Sequence, residues 1–536
     1  SRKNNTIEIR PFLKYVSLIV FAFLFEVFFN KITLFVFFNF LENLFFALAS
    51  VCPLYFFNSL KIKSYYFRLS YIFFSICLYL ETIYYYLFQT SFSSSAIFVA
   101  LDTNADESKE FLSFYIDASV LLCTLVFLVI MLLILFKSKK DYEAILHYSK
   151  ATKFKMAFLF LVIILFVRQS SLIRFNLPYL ILKSGIEYYN ESKSLGDYKN
   201  NKIGDFNSVS RFSNDDEDET YVVIIGESTS RSHLGIYGYY RETTPGLSEI
   251  KDQLLIYKDA VSPHAYSVAA LTKILTLGNY ETPERISKGS IIQLINSVGF
   301  ETYWLSNQRP IGPFESLITK ISLSSKKHKF LTTTVAGNST VLDGELLNEF
   351  NEVINNEAKK KVVFIHMMGT HHHYENRYPE SFSKFNDEPK TNFKSEESFY
   401  KINHYDNAIL YNDFILSEVI SKLDSLNSKS FALYFSDHAE EMYSDLDMAG
   451  HNEDIYSQEM FDIPFFLWQS QKFKESNKLY FVEDRKYMID DLFHSIADLL
   501  DISAKEVKRS RSIFSHDFID RKRIIKDTIN YDTFFD

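Results

Sequence analysis

The sequence predicts a multi-domain protein with two structured parts. An N-terminal unit of five transmembrane helices precedes an exported α/β domain built on a central, mostly parallel sheet. Three observations carry this expectation. Five apolar runs, each about the roughly 20 residues that a bilayer crossing takes, crowd the first 172 positions. From Tyr221 onward, short apolar runs alternate with amphipathic helical patterns, the rhythm of an α/β fold. The basic residues of the first part fall on one side of the successive spans.

The runs lie near 11–30, 33–58, 69–89, 118–136 and 156–172. Arg2, Lys3 and Arg10 precede the first; Lys61, Lys63 and Arg68 lie between the second and third; Lys137, Lys139, Lys140, Lys150, Lys153 and Lys155 lie between the fourth and fifth. With five spans these segments share a side, so the N-terminus is expected in the cytoplasm and the C-terminal part outside. The first span would itself direct export, with no cleavable signal needed. Cys52, Cys77 and Cys123 all fall in the spans, which leaves the exported part without a disulfide. The net charge of -9, with no basic stripe in the second half, argues against a nucleic-acid partner.

A mixed segment, 173–218, follows the membrane unit. Its stretch RFNLPYLILKSGIEYYNE (Arg174–Glu191) suits an interfacial helix and a plain connector equally. The exported domain is expected over 219–536. YVVIIGE, KVVFIHMMG, FALYFSD and IPFFLW read as buried strands, and LDGELLNEFNEVINNEAKK and YDNAILYNDFILSEVISKLDSL as amphipathic helices. Ligands of such sheets bind beyond the carboxyl ends of the strands. There one run ends on Glu227, a second on His371 and a third on Asp437-His438. Three strands bringing carboxylates and imidazoles to one edge predict a metal site.

Glu227, Asp437 and His438 form an oxygen and nitrogen ligand set that suits Zn2+, with a fourth position open to a hydroxyl the metal can activate. SPHAYSVAALTKIL offers Ser262, Ser267 and Thr272. Ser267 stands before the first turn of a helix and reads equally as a nucleophile and as an N-cap. His371 and His451 are expected near the transferred group as hydrogen-bond donors or acids. His372 and His373 read as solvated loop residues, and His366 as a core histidine.

In order along the chain, IIGESTSRSHLGIYGYYRETTP, SPHAYSVAALTKILT, HMMGTHHHYENRYP, YDNAILYNDF and YFSDHAEEM…GH resemble the membrane-bound phosphoethanolamine transferases of Gram-negative bacteria. These enzymes belong to the alkaline phosphatase and sulfatase superfamily. The resemblance implies a zinc enzyme of the inner membrane with a periplasmic catalytic domain and a covalent intermediate. Glu227, Asp437 and His438 match the family's metal ligands. Ser267 stands at its nucleophile, usually Thr, and His371 and His451 match histidines near the phosphoryl group. LDTNADESKEF (Leu101–Phe111) resembles the segment that meets the substrate headgroup, with Thr103 and Glu107 matching and Val99 in place of the family's Asn. The implied donor is phosphatidylethanolamine and the implied acceptor lipopolysaccharide, at lipid A or a core sugar. The SPHAYS spacing and the lack of exported cysteines are nearer the core-sugar branch. The alternatives are an exported sulfatase or phosphatase, a glycerol-phosphate transferase of the same superfamily, and a non-enzymatic zinc-stabilised membrane protein.

Overall fold

The computed structural model describes residues 9–29, 33–88, 91–102, 105–137, 148–212, 217–308, 317–331 and 341–536. Thr103 lies outside these residues, as do Arg2, Lys3, Lys139 and Lys140 of the orientation argument. The chain divides into two compact units: residues 1–98 with 112–188, and residues 99–111 with 189–536.

The first unit is helical. Among the described residues, Arg10–Phe29, Val36–Tyr55, Leu60–Phe88 and Ala118–Phe136 are long and apolar enough to cross a membrane. The fifth predicted run lies on the helix Lys150–Gln169, of equal length to the first but carrying Lys153, Lys155 and Arg168. Thr33 caps the second helix by accepting from the Val36 N–H. The inner faces pack aromatic residues edge to face: the Tyr15 ring meets Phe67, Tyr71 and Phe74 at 5.8, 5.1 and 5.0 Å. The outer faces stay apolar, with Leu121, Leu125, Leu132 and Leu133 exposed on one helix. A helix apolar all round suits hydrocarbon better than water.

The second unit is built on seven strands: β1 (Glu219–Gly226), β2 (Leu254–Tyr257), β3 (Glu301–Ser306), β4 (Lys327–Phe330), β5 (Lys360–His366), β6 (Lys429–Ser436) and β7 (Phe465–Gln469). Their order across the sheet is β2-β7-β6-β1-β5-β3-β4. Only β7 runs against the rest, so the sheet is mixed but mostly parallel. Four of these strands were legible as apolar runs; β2, β3 and β4 were not, because β2 and β4 are four residues each and β3 starts on a charge. β1 sits at the centre and is buried along its whole length, as a parallel strand covered on both faces must be. The Glu396–Ser425 helix begins nine residues earlier than its pattern suggested. Ser395 and Ser398 form a reciprocal capping pair there.

Candidate active site

Strand register explains how the site assembles. β1 and β6 pair in parallel with Ile225 opposite Phe435 and Gly226 opposite Ser436. The next residue on each strand is therefore level with the other: Glu227 and Asp437. The Asp437 N–H donates to the Gly226 carbonyl at 3.1 Å and closes that edge. Ser228 then turns away with φ of 59°, a left-handed conformation uncommon for a residue with a side chain.

Glu227, Asp437 and His438 bring a ligand atom each within 4.8 Å of one another, all buried. His438 Nε2 lies 3.1 Å from Glu227 Oε1 and 3.7 Å from Asp437 Oδ2. His438 Nδ1–H donates to the Ala439 carbonyl at 3.0 Å, which turns Nε2 to the cluster, where a bound cation would displace its proton. Asp437 Oδ1 accepts from the N–H groups of Ser228 and His438, but the buried Oδ2 has no hydrogen-bond partner. An orphaned carboxyl oxygen beside a second carboxylate and an inward-facing imidazole nitrogen is a donor set that fits a divalent cation.

Ser267 is the first residue of the helix Ser267–Ile274, and Tyr266 takes the N-cap position. The N-cap alternative for Ser267 thus falls away. Its hydroxyl instead donates to Glu227 at 3.1 and 3.0 Å, with His438 Nε2 at 3.4 Å. Ser262 and Thr272, the other candidate hydroxyls, donate to the main-chain carbonyls of Asp437 and Val268.

His371 does not end a strand. β5 stops at His366, and a loop carries His371 onward. Asp343 anchors that loop by accepting from the N–H groups of Met368 and Gly369 at 2.9 and 2.8 Å. Gly369 has φ of +56°, and a Cβ there would stand 2.7 Å from the Glu227 carbonyl oxygen and 2.8 Å from its nitrogen. Gly369→Ala is therefore expected to cost about 1–3 kcal/mol of stability. It should also lower metal retention by moving Glu227. Denaturant melts and metal analysis of the variant check both effects.

His371 and His451 line the same cavity as Ser267 and Glu227, a pocket of about 110 Å³. Val99 lines it too, and the Phe111 ring is 6.3 Å from that of His372. Glu107 lies on the helix Ala105–Tyr115 between those two. His366 is buried at the pocket wall, where burial holds its pKa down to about 4.

Several partners gave no sequence signal. Gln308 donates to Glu227 Oε2 and to the Met367 carbonyl, both at 3.0 Å. His372, expected in solvent, is buried and stacks on His451 with ring centroids 5.1 Å apart. Glu440 contacts His451 Nδ1 at 3.0 Å and accepts from the Tyr374 hydroxyl. Burial lifts Glu440 to about 8, and burial with the charge of His438 lowers His451 to about 3. At neutral pH a protonated Glu440 donating to Nδ1 leaves the other His451 nitrogen as an N–H donor.

Burial, then the charge of Glu227, lifts Asp437 to about 8. Burial works against charge on His438, but Asp437 and Glu227 outweigh it and raise His438 to about 10. Burial would raise Glu227, yet the hydrogen bond from His438 and its charge hold it well below the carboxylate range. The sign for stability follows. Asp437 and Glu440 bind protons in the folded state that the unfolded chain has already released above their ordinary values of 3.8 and 4.5. His438 does the same above 6.5. Stability of the metal-free protein is thus expected to fall from pH 6 to 8. A bound cation replaces those protons, so the thermal shift on adding metal should grow over the same interval. Scanning fluorimetry at both pH values, with and without zinc, checks this.

A family profile described as Sulfatase matches residues 219–502, just over half of the chain. The chain belongs to the sulfatase family. Within the sulfatase family its relatives are phosphoethanolamine transferases, as the motifs implied. It is 29% identical over 492 residues to phosphoethanolamine transferase EptC of Escherichia coli K12, covering 84% of this chain and 83% of that protein. It is 28% identical over 490 residues to phosphoethanolamine transferase CptA of Salmonella typhimurium, with the same coverage. A crystal structure of the C-terminal periplasmic domain of Escherichia coli EptC in complex with Zn shares 31% identity and a TM-score of 0.59, over 62% of this chain and 97% of that one. The full-length membrane protein EptA of Neisseria meningitidis, at 20% identity, shares the fold: its TM-score is 0.68, over 96% of this chain and 99% of that one. N-terminal apolar helices followed by a sulfatase-like domain are therefore an arrangement found whole in this family.

Proposed function

We propose that the chain is a zinc-dependent phosphotransferase of the bacterial inner membrane. It moves phosphoethanolamine from phosphatidylethanolamine to lipopolysaccharide, at lipid A or a core sugar. The observation that carries the reading is the Ser267 hydroxyl, held by both Glu227 oxygens and beside His438 Nε2 at a helix N-terminus that opens on a pocket. Glu227, Asp437, His438 and Ser267 hold the metal. When bound, zinc supplies charge stabilisation to the serine oxygen and the phosphoryl group.

In the first step Ser267 Oγ, having lost its proton, forms a bond to phosphorus as the bond to the diacylglycerol oxygen breaks. The leaving oxygen takes up the proton that Ser267 gave up, relayed through the pocket that His371 and His451 line. In the second step an oxygen of the acceptor attacks the same phosphorus, the Oγ–P bond breaks, and the acceptor's proton passes through the pocket to Ser267 Oγ. The N-terminal N–H groups of the Ser267–Ile274 helix favour the negative charge that develops in both steps. Thr103 and Glu107, on the segment between Val99 and Phe111, meet the donor headgroup. The proposed boundaries are 1–172 for a five-span membrane domain with its N-terminus in the cytoplasm, 173–218 for the connector and 219–536 for the periplasmic catalytic domain.

Mass spectrometry of lipid A and core oligosaccharide from cells with and without the gene tests the reading. A gain of one phosphoethanolamine on either supports it and names the acceptor; no change in either removes it. The exported residues 210–536 alone are expected to bind zinc and cleave small phosphoethanolamine esters slowly. They should fail to modify lipopolysaccharide in cells, because the lipid donor is met by the membrane unit. Complementation by that fragment would contradict this.

A further inference from the structure

Two loops beside the active site meet at one buried carboxylate. The first, residues 262–266, leads into the Ser267–Ile274 helix. The second, residues 451–454, begins on His451. His264 Nδ1–H donates to Glu453 Oε1 at 2.6 Å, and the Ala265 N–H donates to Glu453 Oε2 at 2.7 Å. Both oxygens of Glu453 are thus given to successive residues of the first loop, although 189 positions separate His264 from Glu453. The two side chains are each 5% exposed, so the pair works out of water, where hydrogen bonds to a carboxylate are strong. Neither residue belongs to the cluster of Glu227, Asp437 and His438.

The clamp lies between two residues of the reaction. Ser267 stands two residues after Ala265, and His451 two residues before Glu453. The second loop has little slack. Asn452 Oδ1 accepts from the Asp454 N–H at 2.8 Å, and the Asn452 carbonyl accepts from the Ile455 N–H at 3.1 Å. The first loop is pinned at its other end, where Ser262 Oγ donates to the Asp437 carbonyl at 2.5 Å. The last turn of the Ser267 helix returns to the same place: Lys273 Nζ lies 2.5 Å from His264 Nε2 and pairs with Asp527. Ser262 thus ties Ser267 to the metal cluster, and Glu453 ties it to the loop of His451.

We propose that Glu453 is a positioning residue for the group transfer inferred above, and the proposal rests on that reading. Glu453 sets the Ser267 hydroxyl against His451, so that nucleophile and proton relay face the phosphoryl group together. A displacement of about 1 Å at a reacting atom costs up to roughly 10²-fold in rate. Glutamine at 453 offers one oxygen to two donors and turns its own N–H groups toward the other. The clamp then opens on one side, while the metal cluster keeps its own hydrogen bonds.

The test uses the purified full-length chain loaded with zinc and the nitrophenyl ester of phosphoethanolamine, so that neither lipid nor acceptor enters the measurement. Glu453→Gln should lower kcat by roughly 10–10²-fold, with KM within about twofold of the parent and zinc content unchanged. His264→Ala should match it. His264→Asn, which restores an N–H at about the reach of Nδ1, should recover most of the loss. The two His264 variants carry the test if Glu453→Gln does not fold. A kcat in zinc-loaded Glu453→Gln within about twofold of the parent, at whatever melting temperature, overturns the proposal. A merely structural contact changes how much protein is folded, not the rate of what is folded. Equal turnover by His264→Ala and His264→Asn also overturns it. Loss confined to KM would place Glu453 in substrate binding, and loss that tracks zinc content would place it in metal retention; each overturns the proposal. An unaltered chain that leaves the ester intact removes the group-transfer reading and this inference together, whereas parental rates in the variants remove this inference alone.

Discussion

Ser267→Ala is expected to lower phosphoethanolamine transfer by roughly 10⁴-fold or more, the scale seen when a covalent nucleophile is removed. Its fold should be almost untouched. Tyr266, not Ser267, occupies the N-cap, so alanine at 267 loses no cap and enters a first turn that tolerates it. The variant loses only the hydroxyl's bonds to Glu227 and should melt about 0.5–1.5 kcal/mol below the parent. Ser267→Thr keeps the hydroxyl and restores the family's usual residue, and it should remain active. Incubation with donor lipid and no acceptor, followed by peptide mapping, should place phosphoethanolamine on Ser267. An adduct on Ser262 or Thr272 would refute the assignment. Turnover with no adduct would refute the two-step scheme and leave Ser267 as a ligand only.

Asp437→Asn should abolish transfer by a different route. The amide keeps an oxygen for the N–H groups of Ser228 and His438, so the strand end stays closed. Its nitrogen replaces the orphaned Oδ2 and donates where the metal needs an acceptor. Metal affinity is expected to drop by roughly 10²-fold or more, beyond the usual loss for a supporting residue. Removing one of two adjacent buried carboxylates also relieves repulsion. The metal-free variant should melt at or above the metal-free parent at pH 8, while the parent gains more on adding zinc. Metal analysis with paired melting curves decides it. Full metal content with full activity would remove Asp437 from the site, and His438→Ala should follow the same pattern.

The clustering of Glu227, Asp437 and His438 was legible because parallel strands announce themselves as apolar runs and Glu227 and Asp437 follow directly on two of them. The short strands Leu254–Tyr257 and Lys327–Phe330 carry too few residues for alternation to stand out. His371 was read as a strand end because the apolar run Met367-Met368 continues past β5, while Gly369 in fact turns the chain over Glu227. Gln308, Glu440 and His372 were missed for a common reason. Each acts through a partner distant in sequence, and no local periodicity encodes such a contact. Glu440 and Tyr374 meet across 66 positions, and Gln308 and Glu227 across 81.

The strand order has a consequence for how the protein matures. Ser228 and Asp437 touch although 209 positions separate them, and β5 is laid beside β1 from between. Such long-range parallel pairing is slow, because loop closure comes before any reward in contacts. A nascent chain that has emerged only as far as β5 holds Glu227 but neither Asp437 nor His438. The cluster of Glu227, Asp437 and His438 is thus complete only after β6 has paired with β1, late in the assembly of the sheet.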